Sequence, residues 1–341
     1  MNAEDLIATA QAIVAPGQGV LAADESTGTI SKRFEKVGIE STADTRRDYR
    51  ELLLTAPDMG KHISGVILYD ETIRQESSDG RPFPKMIQEC GIMPGIKVDT
   101  GAKPLALAEG EKVTEGLDGL RERVEEYVEM GAKFAKWRAV ITIEGDRLPS
   151  RYCISTNAHA LARYAALCQE GGLVPIVEPE VLIDGDHTIE RCFEVTQATL
   201  RIVFDQLSEQ RVLFEGMILK PNMVISGKDC PEQASPQQVA EDTIRCLRRT
   251  VPAAVPGIAF LSGGQGPELA TEHLNLMNQM GAHPWEITFS YARAIQDPAL
   301  TAWKGEEANI EAAKQAAAHR ARLNGAARSG EYSKEMEQEA A

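Results

Sequence analysis

A lysine stands alone in the apolar run GMILKPNMV, residues 216–224, where Lys220 is followed at once by the turn signal Pro221-Asn222. An apolar run ended in this way reads as a buried strand, and lysine is among the residues least often buried. Burial disfavours an ammonium ion, which is one route to the neutral, nucleophilic amine that Schiff-base chemistry needs. A plainer reading stays open for this segment alone, with the lysine stem along the strand end and its head in water. Other residues of chemical promise occupy similar settings. Asp24 follows GVLAA, Lys97 lies in GIKVD, Lys136 and Arg138 in FAKWR, and Glu178 and Glu180 in IVEPE. Ser262-Gly263-Gly264 follows AFL, and Ser290 and Arg293 follow ITF. Each has an ordinary explanation as a solvated strand end, a helix-terminal carboxylate or a turn. Their shared position at the ends of apolar runs is harder to explain that way.

The elements that would position them are readable from periodicity. Short apolar runs predict strands near residues 19–23, 65–69, 95–98, 134–140, 174–177, 217–219, 258–261 and 287–289. Amphipathic stretches such as 117–130, 157–168 and 191–207 fall between them, each long enough for a crossover helix. This alternation fits an α/β fold, a (β/α)8 TIM barrel with an N-terminal helix and a polar C-terminal tail. A doubly wound open sheet is the alternative, and the absence of G-x-G-x-x-G after the first strand weakens its dinucleotide-binding form. No interior linker is visible, so residues 1–323 read as a single barrel domain and 324–341 as a polar, mobile tail. In a barrel, strand C-terminal ends converge on the catalytic face. Side-chain alternation puts Lys136 and Arg138 on one side of their strand, and likewise Glu178 and Glu180 if the strand persists through Pro179. A second cation close to Lys220 favours a neutral amine, and a nearby carboxylate can move the protons of imine formation. The Ser-Gly-Gly-Gln-Gly run offers unobstructed backbone N–H groups after the seventh strand, a usual phosphate site of barrels. A phosphorylated substrate is implied.

Composition sets the limits. The chain has 341 residues, 43% hydrophobic and 26% charged, with a formal net charge of -15. These are globular values without a membrane-length apolar stretch. The acidic balance argues against nucleic acid, which is bound through clustered Lys and Arg, and no membrane association is expected. It also requires that any anionic ligand be met by a local cationic pocket. The N-terminus lacks a secretory pattern, so a cytoplasmic address is expected. Six cysteines without C-x-x-C or zinc-like spacing are expected to be reduced and structural.

Longer strings then carry a resemblance. LAADESTGTISKR (21–33), GIKVD (95–99), GLDGLRER with FAKWR (116–138), VPIVEPEVLIDGDH (174–187), LKPNMV (219–224), FLSGGQ (260–265) and TFSYAR (288–293) are similar to those of class I fructose-1,6-bisphosphate aldolase. They follow the family's order over most of the chain. The resemblance implies metal-independent, reversible retro-aldol cleavage of fructose 1,6-bisphosphate to dihydroxyacetone phosphate and glyceraldehyde 3-phosphate, in glycolysis and gluconeogenesis. It implies Lys220 as the Schiff-base lysine, Asp24 as the base for the C4 hydroxyl, and Glu178 as the acid/base group of imine formation. Glu180 would be the partner of Glu178, and Lys136 would tune the cluster. Ser262, Gly263 and Arg293, with Ser290 nearby, would hold the C1 phosphate. Arg33, Lys97 and Arg138 would meet the other end of the sugar. No cofactor or metal is expected, and a homotetramer is.

Two features depart from the family's pattern. Animal members end in a tyrosine that folds over the site, whereas this chain ends EMEQEAA and its last tyrosine is Tyr332. The S-Y-G-R motif reads with Ala292 in its third position, where a Cβ could crowd the phosphate. The alternatives are another Schiff-base phosphosugar aldolase or transaldolase, or a non-enzymatic scaffold on the same fold. A metal-dependent aldolase would need clustered histidines, and the six in this chain show no ligand-like spacing.

Overall fold

The computed structural model describes residues 2–339, so Ala340 and Ala341 of the predicted tail lie outside the described residues. The eight apolar runs become strands β1 (Gly19–Ala23), β2 (Ile63–Leu68), β3 (Met93–Lys97), β4 (Phe134–Ile141), β5 (Val174–Val181), β6 (Ile218–Leu219), β7 (Gly257–Phe260) and β8 (Glu286–Tyr291). Each pairs in parallel with the next in chain order, and β8 returns to β1 to close the barrel. The α/β barrel architecture is therefore as the sequence implies, with strand ends differing by a few residues. An antiparallel hairpin, Gly101–Pro104 with Lys112–Glu115, was not foreseen. Its strands are short and mostly exposed, so they carry no apolar run to reveal them.

Alternation along the strands explains both the core and the site. Val20, Ala22, Ile67, Phe134, Val174, Ile176, Ile218 and Ala259 form the barrel interior, whereas Leu21, Ala23, Ala135 and Trp137 belong to the separate core beneath the helices. Leu6, Ala10 and Ile13, on one face of the helix Ala3–Ile13, join the interior cluster and close the barrel floor. Phe134 fills the interior only because β2 and β3 have glycines opposite its ring. A Cβ on Gly65 would lie 2.8 Å from that ring, and one on Gly95 2.2 Å. The same inward files then change character toward the C-terminal rim. Phe134 gives way to Lys136 and Arg138, Ile176 to Glu178 and Glu180, Ala22 to Asp24, and Ile218 to Lys220. β5 does persist through Pro179, which pairs with Ala139, so its two glutamates share one side.

The C-terminal boundary is corrected. The helix Ile310–Arg328 passes through residue 324 without interruption, and Asn324 is fully buried, accepting a 2.8 Å hydrogen bond from Thr271. The polar composition from residue 324 onward hides this continuation. Gly325 serves close approach, since a Cβ would lie 2.8 Å from the Gly17 carbonyl and from the His62 ring. The following short turn, Lys334–Gln338, is pinned by Glu337, which meets Arg320 at 2.6 Å and accepts from the Tyr332 hydroxyl at 2.9 Å. Among the described residues no helix is long and apolar enough to cross a membrane.

The Phe134 packing predicts that Gly95→Ala lowers stability by about 1–3 kcal/mol through overpacking. Denaturant unfolding should show partial rescue when Phe134→Leu is added, and simple additivity of the two changes would contradict the contact.

Candidate active site

The strand that carries Lys220 ends because of the residue after it. Pro221 has no N–H to extend the ladder toward β5, so on that side the Lys220 N–H makes the last backbone pairing, to the Val177 carbonyl at 2.8 Å, while the Pro221 carbonyl still accepts from Leu261 at 3.2 Å. Asn222 then takes over with its side chain. Its Oδ1 accepts the Val181 N–H at 2.9 Å, while its Nδ2 donates to Thr196 at 3.1 Å and to the Met223 carbonyl at 3.0 Å. The strand of Lys220 and the strand of Glu178 are thus tied together just beyond both residues.

Lys220, Glu178 and Lys136 are each at most 4% exposed. Lys220 Nζ lies 3.2 Å from Glu178 Oε1, Lys136 Nζ lies 3.3 Å from Glu178 Oε2, and Lys136 also meets Asp24 at 2.6 Å. The result is a row of alternating charge, Asp24–Lys136–Glu178–Lys220. The two lysines share a carboxylate between them, one on each oxygen. Glu180, expected beside Glu178 as its partner, pairs instead with Arg138.

Burial pushes the Asp24 carboxyl up, but Lys136, Lys220 and Lys97 outweigh it and hold it well below the usual carboxylate range. Burial likewise works against ionised Glu178, and Lys220, Lys136 and Arg138 overcome it, leaving its value lowered. Burial disfavours the Lys136 ammonium, but Asp24 and Glu178 more than restore it, so its value is raised. The resting site therefore holds two carboxylates and a fixed cation.

A cavity of about 420 Å³ opens above this row. Every residue proposed from the sequence lines it: Asp24, Arg33, Lys97, Lys136, Arg138, Glu178, Glu180, Lys220, Ser262, Gly263, Ser290 and Arg293. Gly263 and Gly264 have φ of 59° and 95°, the left-handed region that the nest requires, and a Cβ on Gly264 would lie 3.2 Å from the Arg293 guanidinium. The Ser290 hydroxyl is buried and has no partner among the described residues, which leaves it open to a ligand. Ala292 lines the cavity with φ of -102°, so its Cβ imposes no backbone strain. Tyr332 is not in the cavity; it is buried beside Asn275 and Glu337.

Sequence reasoning missed Glu25, Ser26, Thr29, Lys32 and Lys36 on the cavity wall. The helix Thr27–Lys36 presents the cations among them, and the spacing of Lys32, Arg33 and Lys36 was the available signal. With them, eight lysines and arginines face the cavity against four carboxylates, which supplies the local positive field that a chain of net charge -15 needs to attract an anion. Among the described residues no group of three His, Cys, Asp or Glu is arranged to hold a metal ion. All six cysteines are free, and only Cys90 is exposed.

The pairing of Asp24 predicts a pH-dependent cost for its removal. Asp24→Asn leaves Lys136 short of a partner and should lower stability by about 3–5 kcal/mol at neutral pH. The native carboxyl titrates below its ordinary value of 3.8, so its contribution is present above that pH and is lost as the pH falls toward the folded value. The gap between wild type and variant should shrink below about pH 4, by at most about 1.4 kcal/mol per pH unit. Unfolding curves at several pH values measure it, and a gap constant down to about pH 3 would contradict the assignment.

Comparison with known proteins places this geometry in a family. The family model described as fructose-bisphosphate aldolase class-I matches residues 5–341. A Xanthomonas campestris protein named "Probable fructose-bisphosphate aldolase class 1" is 61% identical over 333 residues, 97% of this chain and 99% of its own. Fructose-bisphosphate aldolase 4, cytosolic, of Arabidopsis thaliana is 51% identical over 96% of this chain and 84% of its own. The Plasmodium falciparum aldolase, crystallised with TRAP and a small-molecule inhibitor, superposes with a TM-score of 0.96 at 48% identity, covering 97% of this chain and 95% of that one. The chain belongs to the class I fructose-bisphosphate aldolase family.

Proposed function

We propose that the chain catalyses the reversible cleavage of fructose 1,6-bisphosphate through an imine on Lys220. The observation that carries this reading is the placement of Lys220 Nζ, 3.2 Å from the Glu178 carboxylate at the foot of a cationic cavity. Before attack the lysine must lose a proton, and Glu178 is the acceptor within reach. The free amine adds to the C2 carbonyl, forming the C–N bond of a carbinolamine. Protonated Glu178 then returns a proton to the departing hydroxyl, which leaves as water. The iminium is the electron sink. Asp24 takes the C4 hydroxyl proton, the C3–C4 pair moves into the iminium, and glyceraldehyde 3-phosphate departs while an enamine remains on Lys220. A strongly paired carboxylate is a weak base, so Asp24 contributes ionisation and position while the sink provides the drive. Protonation at C3 and hydrolysis of the imine release dihydroxyacetone phosphate and restore the lysine.

The remaining residues divide by location. Ser262, Gly263, Ser290 and Arg293 surround the nest and take the C1 phosphate in this reading. Arg33, Lys97 and Arg138 take the other end. Lys136 keeps Asp24 and Glu178 ionised, and Glu180 orients Arg138. A cytoplasmic location, supported by the cytosolic relative, and the homotetramer that the resemblance implies complete the reading.

Borohydride treatment with dihydroxyacetone phosphate, in the presence of a chelator, should leave a reduced adduct that peptide mass mapping finds on Lys220. An adduct elsewhere, or cleavage that chelator abolishes without any adduct, refutes the reading. Lys220→Ala should remove turnover and leave the circular dichroism spectrum unchanged. Glu178→Gln should slow imine formation by about 10²–10⁴-fold, the usual scale of acid–base assistance, as read by the rate of trapping.

A further inference from the structure

Next to Asp24 lies a buried carboxylate with no part in the steps above. Glu25 is 8% exposed and its charge is shared among three helices. Its Oε1 accepts from Arg33 at 2.5 Å, on the helix Thr27–Lys36, and from Gln296 Nε2 at 2.8 Å, on the helix Arg293–Trp303. Its Oε2 meets Arg50 at 2.7 Å, on the helix Ala43–Leu54, and Arg50 also reaches the Glu25 carbonyl at 3.3 Å. Burial opposes the Glu25 charge, and Arg50 and Arg33 overcome it, so its carboxyl stays ionised. The three helices are further locked by an aromatic trio: Tyr49 stacks on Trp303 at 5.5 Å, and Phe34 meets Tyr49 edge-on at 5.5 Å.

Arg50 and Arg33 differ in one respect. Arg50 is 2% exposed and faces no ligand, whereas Arg33 lines the cavity. Arg50 holds the carboxylate still, and the carboxylate in turn holds the cavity arginine. Gln296 does not depend on Glu25 alone, because its Nε2 also donates to the Ala22 carbonyl at 2.5 Å and the Tyr49 hydroxyl bonds its carbonyl at 3.2 Å. Asp24 is secured separately by Lys136. On the cavity side, loss of the Glu25 charge therefore falls on Arg33, and behind it on the buried Arg50.

We propose that Glu25 is a positioning residue that sets selectivity for a second phosphate, by clamping the Arg33 guanidinium between itself and the far end of a bisphosphorylated sugar. The clamp leaves some guanidinium N–H donors for the ligand while fixing the plane of the group, which is what bidentate recognition of phosphate requires. It also lowers the entropy lost when the arginine is ordered on binding. Arg33 is thus set in place before the ligand arrives, by a carboxylate already bonded to it.

The proposal rests on the aldolase reading, and the test separates the two. Steady-state cleavage of fructose 1,6-bisphosphate and fructose 1-phosphate is compared for wild type, Glu25→Gln and the double variant Glu25→Gln with Arg50→Met. The double variant removes the buried arginine charge that would otherwise be stranded, so it guards against a simple folding defect. The ratio of kcat/KM for the bisphosphate to that for the monophosphate should fall by about tenfold or more in both variants, through KM for the bisphosphate. A ratio within about twofold of wild type in the double variant, with both substrates slowed alike, reduces Glu25 to a structural role and overturns the proposal. Trapping of wild type with dihydroxyacetone phosphate runs in parallel. No adduct there overturns the aldolase reading and this inference with it, whereas an adduct with an unchanged ratio overturns the inference alone.

Discussion

Four charged side chains almost withdrawn from water have to neutralise one another, and this constraint organises the molecule. Moving one isolated ion from water into protein costs several kcal/mol even after relaxation. Asp24, Lys136, Glu178 and Lys220 come from four strands, so their compensation depends on a barrel that closes with its register intact. A slip of one residue in β4 or β5 would turn Lys136 or Glu178 outward and leave its neighbours buried and unpaired. The chemistry and the register are therefore one requirement. The closed sheet meets it by having no free edge along which to slide.

The site was legible in sequence to the extent that strands are periodic. Lys136 with Arg138 and Glu178 with Glu180 can be placed on a common side because a strand repeats every two residues, and apolar residues earlier in each run mark that side as interior. Lys220 could be singled out because Pro221 ends its strand. Pairing across strands was less legible. The resemblance implies Glu180 as the partner of Glu178, while the barrel turns it toward Arg138. Glu25 escaped notice because Arg50 and Gln296 reach it from helices whose packing no short-range pattern encodes. Polar composition from residue 324 onward likewise hides the helix that runs to Arg328, whose Asn324 is held by Thr271 from another helix.

Charge at two scales also becomes consistent. The molecule is acidic overall, yet in its cavity eight lysines and arginines face four carboxylates, several of the cations held by buried carboxylates. Repulsion from the outer surface acts on any passing anion, whereas the cavity field acts at short range with little solvent screening. Entry thus favours an anion small enough to be surrounded by the cavity over a polyanion that would remain on the surface.

The floor of the barrel has a consequence for the order of events. Leu6, Ala10 and Ile13 pack with Phe134 beneath the reacting groups, and the charged row stands above them. The site is closed below, so in the proposed reading a ligand bonded to Lys220 would lie at the far end with a single direction of exit. Both fragments of a cleaved sugar would then leave by the same mouth, the outer one first. An apolar plug that touches no substrate would thereby set the direction and order of release.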